Sequence, residues 1–504
     1  MNLIQTGALA AWVAIAAPAA GLAAQPVRDP VHAVETGLRP AVEIVGQPPV
    51  RWTMQERMAF YHVPAVSIAV IRDGKVAWAK AWGVLQAGSP ERADPETMFS
   101  VGSVSKVGAA TVTLRLVDAG KLDLDRDVRE DLVRWRLPET ALSQGRPVTL
   151  RQILSHTAGF TVSGFPDFQP GQPLPSEIDT LEGRAPSVVG PVTFAWSPGA
   201  SAHYSGGGVT VEQVIVEDRT GMTFAQAAKT WLLDPLRLTR STYEQPLPET
   251  WRNVAKAHGP DGRPRALPRG WESMPETAAS GLWSTPTEYA RLVIALIQSY
   301  QGKSGALLSQ GLARQMMTPV GPSQVGLGPF LDGHGLTRRF SHTGSNDSYK
   351  AYFEGDLATG DGVVIFTNSA SAGPIREEVR RAVAAAEGWD VTGVAKVPPF
   401  RLSAAEMDEL AGSYRVTGDR GVLGGRMSIE GPPEAFGVMV ENGRLWAQTV
   451  GRGTKEELVP EGPTQFVSTA DSARRFEFVR GVDGRIDSLI LRVDDAALSL
   501  ARAR

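Results

Sequence analysis

Two short apolar runs, 66–71 and 76–82, flank Asp73-Gly74 and predict a β-hairpin. From Ser103 the period changes. Val107, Ala110, Thr111, Leu114 and Val117 recur at helical spacing, so 103–117 reads as a helix. Helical patterns then dominate to Gln301, broken by Gly/Pro stretches. The longest break, 160–198, is rich in Pro, Gly and Ser. A loop of that length inside a compact domain is unusual. It is expected to cover the cleft above Ser103 and help select substrate, with a bland surface insertion as the equal alternative. Strands return at 336–341, 349–354 and 362–367, the last two joined by a turn at 359–362, and a helix at 375–387 closes the pattern. Strands from both ends and helices from the middle predict an α+β fold, an antiparallel β-sheet flanked by helices.

After Val397-Pro398-Pro399, a linker signal, the pattern shifts again. Ser403 and Glu406 form a capping box for a short helix over 403–410. Short strands follow at 413–416, 426–430, 437–441, 444–450, 456–459, 465–468, 474–480 and 485–492. Asn442-Gly443 and Asp483-Gly484 are hairpin turns. This is an all-β unit, a small barrel or sandwich, that carries no catalytic constellation of its own. Its expected roles are packing on the first domain, shaping the cleft, or self-association through edge strands, so an oligomer stays open. The expected domains are 45–390 and 400–504, preceded by a loose proline-containing lead-in over 26–45.

The first 24 residues read as a signal peptide: an apolar stretch around Leu9, Trp12, Val13 and Ile15, then Gly21-Leu22-Ala23-Ala24 and polar Gln25. No Lys or Arg precedes the stretch, so an uncleaved anchor is the rival reading; Pro18 and the shortness of the stretch favour cleavage. The expectation is an exported chain, periplasmic or extracellular, with no transmembrane span after processing. There is no cysteine, which excludes disulfides and thiol catalysis. With 51 basic against 54 acidic residues and no basic block, nucleic-acid binding has no support. No H-E-x-x-H, G-x-G-x-x-G or phosphate-loop pattern occurs. No metal or cofactor is expected.

The chemistry lies in three places. Ser103-Val104-Ser105-Lys106 puts a serine and a lysine one helical turn apart on one face. Burial and the positive end of the helix dipole disfavour a charged lysine there, so a neutral amine can serve a hydroxyl as base. It is the chain's one Ser-x-x-Lys, and the Ser103 N–H can face an oxyanion. His203-Tyr204-Ser205-Gly206-Gly207-Gly208 offers a phenol on a loop before a helical run. Phe340-Ser341-His342-Thr343-Gly344-Ser345 offers an imidazole, a hydroxyl, a glycine for close backbone approach to substrate, and the Ser345 N–H as a second oxyanion donor. Each alone reads as ordinary structure; their order along the chain gives them weight.

Together they resemble the serine β-lactamase and penicillin-binding-protein superfamily, closest to its class C-like branch. The 64–75 hairpin, Leu150-Arg151-Gln152-Ile153-Leu154-Ser155-His156-Thr157-Ala158-Gly159 and Ala279-Ser280-Gly281-Leu282-Trp283-Ser284-Thr285 resemble further family segments. The resemblance implies that Ser103 is the acylated serine, Lys106 its partner and Tyr204 the motif tyrosine. His342, Thr343 and Gly344 match the family's K-T-G triplet, with Ser345 after it. It also implies a C-terminal lipocalin-like barrel. Two positions depart: Gly206 stands where an asparagine is common, and His342 where β-lactamases carry lysine. Both weaken a β-lactamase reading and leave ester and D-amino-acid peptide substrates open. The implied activity is a serine hydrolase working through an acyl-enzyme on a small-molecule or peptide substrate. The alternative is a non-catalytic sensor that keeps the pocket. Whether Lys106 or Tyr204 is the base stays open at this level.

Overall fold

A computed structural model describes residues 29–503 except 170, 334–337, 390–393, 418–433, 451–454 and 494–495. The expected export segment and the expected strand over 426–430 lie outside the described residues.

A six-stranded antiparallel sheet organises the first domain. Its strands in spatial order are Lys75–Gly83, Ala65–Arg72, Gly362–Thr367, Lys350–Asp356, Arg339–Ser345 and Phe330–Asp332. The N-terminal hairpin therefore pairs with the last strand of the domain, as strands drawn from both ends require. Ala65–Arg72 and Gly362–Thr367 are buried on both faces. Ala65, Ala69 and Ile71 point into one core with Val364 and Phe366. Val66, Ile68 and Val70 point into the other with Val363 and Ile365. The first core carries the Ser105–Asp118 and Pro286–Tyr300 helices; the second carries Pro30–Glu35, Met54–Phe60 and Gly373–Glu387.

Two expectations are corrected. The segment read as a loose lead-in holds the helix Pro30–Glu35 and the strand Val42–Ile44. Val34 and Leu38 bury with Ile375 and Val379 in the second core, so this segment packs on the first domain. The strand expected at 336–341 is Arg339–Ser345. Polar Ser341-His342-Thr343-Gly344 resembles a turn, but these residues pair in full register with 351–354.

Ala395–Val397 pairs in parallel with Val42–Ile44 before the chain enters the second domain. There, Gly412–Val416 to Ala496–Arg502 close an eight-stranded antiparallel barrel in which each strand pairs with the next and the last pairs with the first. Ala496–Arg502, the closing strand, is one the sequence pattern did not mark. Tyr414, Phe436, Phe466, Phe476 and Phe478 fill the interior with edge-to-face rings. The barrel meets the first domain through Val459 and Val467 on Val42 and Val397, and through the Arg381 guanidinium donating to the Ala470 carbonyl. These contacts lie on the second-core side of the sheet; Ser103 lies on the first.

Candidate active site

Ser103 sits in a 3₁₀ turn, Gly102–Val104, and the α-helix starts at Ser105, two residues later than the spacing predicts. Gly102 has φ +52°, open to glycine at low cost, and delivers the chain into the turn. The turn is held from several sides. The Ser105 hydroxyl donates to the Gly102 carbonyl at 2.6 Å and accepts from the Leu282 N–H at 2.9 Å. The Tyr289 and Tyr243 hydroxyls donate to the carbonyls of Val104 and Ser105.

Lys106 is 5 % exposed, and its Nζ lies 3.1 Å from Ser103 Oγ and 2.8 Å from the Ala279 carbonyl. Burial pulls its pKa down to about 7, partly opposed by the carboxyls of Glu212 and Glu276. Both glutamates are buried, and burial raises them to about 8 and about 7. Thr113 donates to Glu212 at 2.6 Å from the same helix as Lys106. The sequence reading missed this carboxyl pair. Glu212 lies seven residues after the helix-opening Ser205 and has no motif around it.

Tyr204 comes from the other side. Its ring lies 5.1 Å from Lys106 Nζ. Burial drives its pKa well above the ordinary phenol value, and the nearby Ser103 hydroxyl is the group that draws it down. The phenol oxygen makes no well-formed hydrogen bond among the described residues. His156 supports it: the ring lies 4.4 Å from Tyr204, and Nδ1 accepts from the Ser205 N–H at 3.3 Å. Burial, then Lys106, hold His156 well below its ordinary pKa. Sequence reasoning used His156 as a family marker and gave it no role at the site.

The third wall is Arg339–Ser345. Phe340, His342 and Gly344 face the nucleophile side; Ser341, Thr343 and Ser345 alternate to the other face. His342 and Thr343 therefore do not present imidazole and hydroxyl side by side. His342 is 1 % exposed, its ring 6.2 Å from Tyr204 and 5.1 Å from Phe330. Burial, then Lys106, lower its pKa to about 3, so it is neutral. Gly344 does serve a close approach, but to protein: a Cβ there would strike the Val101 carbonyl. The backbone nitrogen of Ser345 stands 2.9 Å from the Cβ position of Gly102, beside the Ser103 turn. Among the described residues, Phe330–Asp332 alone pairs with the outer edge of this strand, at 339–341, and the backbone edge at 342–345 adjoins the site.

Ser103, Lys106, Tyr204, His342 and the Ser345 backbone are thus gathered around one point. A hydroxyl meets a partly neutral amine, a protonated phenol and two backbone nitrogens. The Beta-lactamase family model matches residues 50–387. The chain belongs to the β-lactamase family. Curated relatives include penicillin-binding protein 4 of Amycolatopsis lactamdurans, 31 % identical over 229 residues, 43 % of this chain and 55 % of that protein. Protein flp of Staphylococcus aureus is 23 % identical over 228 residues, 45 % of this chain and 42 % of that protein in one strain. The matches therefore span about half the length of these relatives. Among solved structures, this β-lactamase-family chain is similar to an octameric penicillin-binding protein homologue from Pyrococcus abyssi, with TM-score 0.57, 21 % identity, and 88 % and 98 % of the two chains covered. SurE with D-Leu gives TM-score 0.54 at 22 % identity, covering 89 % and 97 %. These likenesses extend across both domains and concern the fold.

Proposed function

We propose that the protein is a serine hydrolase that cleaves an ester or amide through an acyl-enzyme on Ser103. One observation carries the reading: a buried lysine with its pKa near 7 lies 3.1 Å from the serine oxygen. Lys106 takes the serine proton, since an amine near pKa 7 is half neutral at working pH. Tyr204, whose pKa burial raises, keeps its proton at rest and serves as donor to the leaving group. The oxyanion forms between the backbone N–H groups of Ser103 and Ser345. Water then releases the acyl group by the reverse path.

The neutral state of His342 favours substrates that need no cation from that position, so esters and uncharged amides come before free carboxylates. The reading includes export, on the strength of the first 24 residues; N-terminal sequencing of protein from cell fractions tests that part. For the chemistry, a fluorophosphonate should label wild type at Ser103, and Ser103→Ala should abolish both labelling and turnover of p-nitrophenyl acetate without loss of fold. Labelling without turnover on esters, D-Ala dipeptides and nitrocefin would favour the sensor reading. A Ser103→Ala variant that keeps near wild-type activity would remove the mechanism.

A further inference from the structure

The run Gly206-Gly207-Gly208 opens the Gly206–Thr220 helix directly after Tyr204. It is a seat for another segment. The Gly207 and Gly206 N–H groups donate to the carbonyls of Val162 and Ser163, at 3.0 and 3.2 Å. A Cβ on Gly206 would stand 2.9 Å from the Phe165 ring, and one on Gly207 would stand 2.8 Å from Val192. So the long loop lies on the helix start, with Phe165 against the residue two places past Tyr204.

Two residues later the same loop reaches the opposite wall. Asp167 Oδ2 accepts from the Asp347 N–H at 2.8 Å, two places past Ser345. Phe168 and Ser273 then exchange backbone hydrogen bonds at 3.0 and 2.8 Å. Two residues advance the chain by at most about 7 Å. The segment therefore bridges the Tyr204 side and the Ser345 side within Phe165-Pro166-Asp167.

The direction of the strand tells which half of a substrate meets the bridge. Tyr204, the leaving-group donor, lies beside His342. The strand runs away from that point through Ser345 to Asp347, so the leaving group lies at the His342 end and the acyl group at the Asp347 end. We propose that residues 163–168 form a strap that closes the acyl side of the cleft, and that Phe165 limits the enzyme to compact, apolar acyl groups of about acetyl or alanyl size. The inference rests on the acyl-enzyme reading and adds the substrate class. With Gly206 bare and a phenyl ring over it, this wall supplies carbon contact where a side-chain amide would supply hydrogen bonds.

The test is the ratio of kcat/KM for p-nitrophenyl acetate to that for p-nitrophenyl hexanoate. Each ill-fitting methylene costs roughly tenfold or more in a shaped apolar pocket, so wild type should favour acetate by well over tenfold. Phe165→Ala should narrow that ratio about tenfold or more through a gain on hexanoate, on the same discrimination scale. Asp167→Ala, which releases the far anchor, should narrow it in the same direction, guarding against a local packing effect of the first variant. Wild type that turns over both esters equally well, or a ratio unmoved in both variants with Ser103 still labelled by fluorophosphonate, overturns the strap alone. Loss of labelling in wild type overturns the acyl-enzyme reading and the strap with it.

Discussion

The carbonyl oxygen of Val101 occupies the place that a Cβ on Gly344 would take. The strand that supplies Ser345 and the turn that supplies Ser103 are thereby pressed backbone to backbone. Gly344→Ala should force them apart. Overpacking of this kind typically costs about 1–3 kcal/mol. Labelling of Ser103 should slow more than stability alone explains, because the two oxyanion donors move with the two backbones. Urea midpoints compared with fluorophosphonate labelling rates check this; a variant that labels at the wild-type rate would show that the contact has no part in the site.

The acid limb of kcat/KM should have its midpoint near pH 7, with activity rising as Lys106 loses its proton. The sign for stability is the same. Folding lowers the pKa of this amine, so the unfolded chain binds the extra proton between about 7 and its ordinary value near 10.4, and stability contributed by this group rises with pH through that window. Glu212→Gln keeps the acceptor for Thr113 and removes a carboxyl that raises Lys106 through the fraction of it ionised below its own value of about 8, so the limb should move modestly to lower pH. A limb that stays in place in Glu212→Gln would show that the buried carboxyl does not act on the base. The limb belongs to the coupled set rather than to one residue.

Tyr204→Phe should cut kcat/KM by about 10²–10⁴, the usual worth of a positioned proton donor, and leave the acid limb in place. The loss should be smallest for p-nitrophenyl esters, whose leaving group needs little protonation, and largest for amides. A shifted acid limb in this variant would instead make the phenol the base.

Arg57 and Glu378 form a two-pronged pair at 2.7 and 2.6 Å between the Met54–Phe60 and Gly373–Glu387 helices, with Tyr61 donating to the same carboxylate at 2.8 Å. Both are at most 9 % exposed. Arg57→Met strands the carboxylate and should cost about 3–5 kcal/mol in urea unfolding. Arg57→Met with Glu378→Leu should recover most of that. Ser103 labelling in the folded fraction should not change, since the pair sits across the sheet from the nucleophile.

The sequence made the serine and its lysine legible because a single turn of helix fixes their spacing, whatever the rest of the chain does. The 362–367 strand and the capped helix at 403–410 were legible for the same local reason, and both are found. Sites assembled from distant segments were not. Nothing near Glu212 marks it as a neighbour of Lys106, and nothing in three glycines says that a loop forty residues earlier will rest on them. The helix start slipped by two residues because Gly102 takes a left-handed conformation and spends Ser103 on a 3₁₀ turn. The His342 strand was misplaced because its polar residues border the site and not a hydrophobic layer, so the apolar pattern fades where the chemistry begins.

The parallel pairing of Val42–Ile44 with Ala395–Val397 stitches the entrance of the first domain to its exit, next to the barrel. The Pro30–Glu35 helix thus lies at the rear of the molecule, with the sheet between it and Ser103. A tether fused at that point, or a surface holding the protein there, would leave the mouth of the cleft pointing outward and unobstructed.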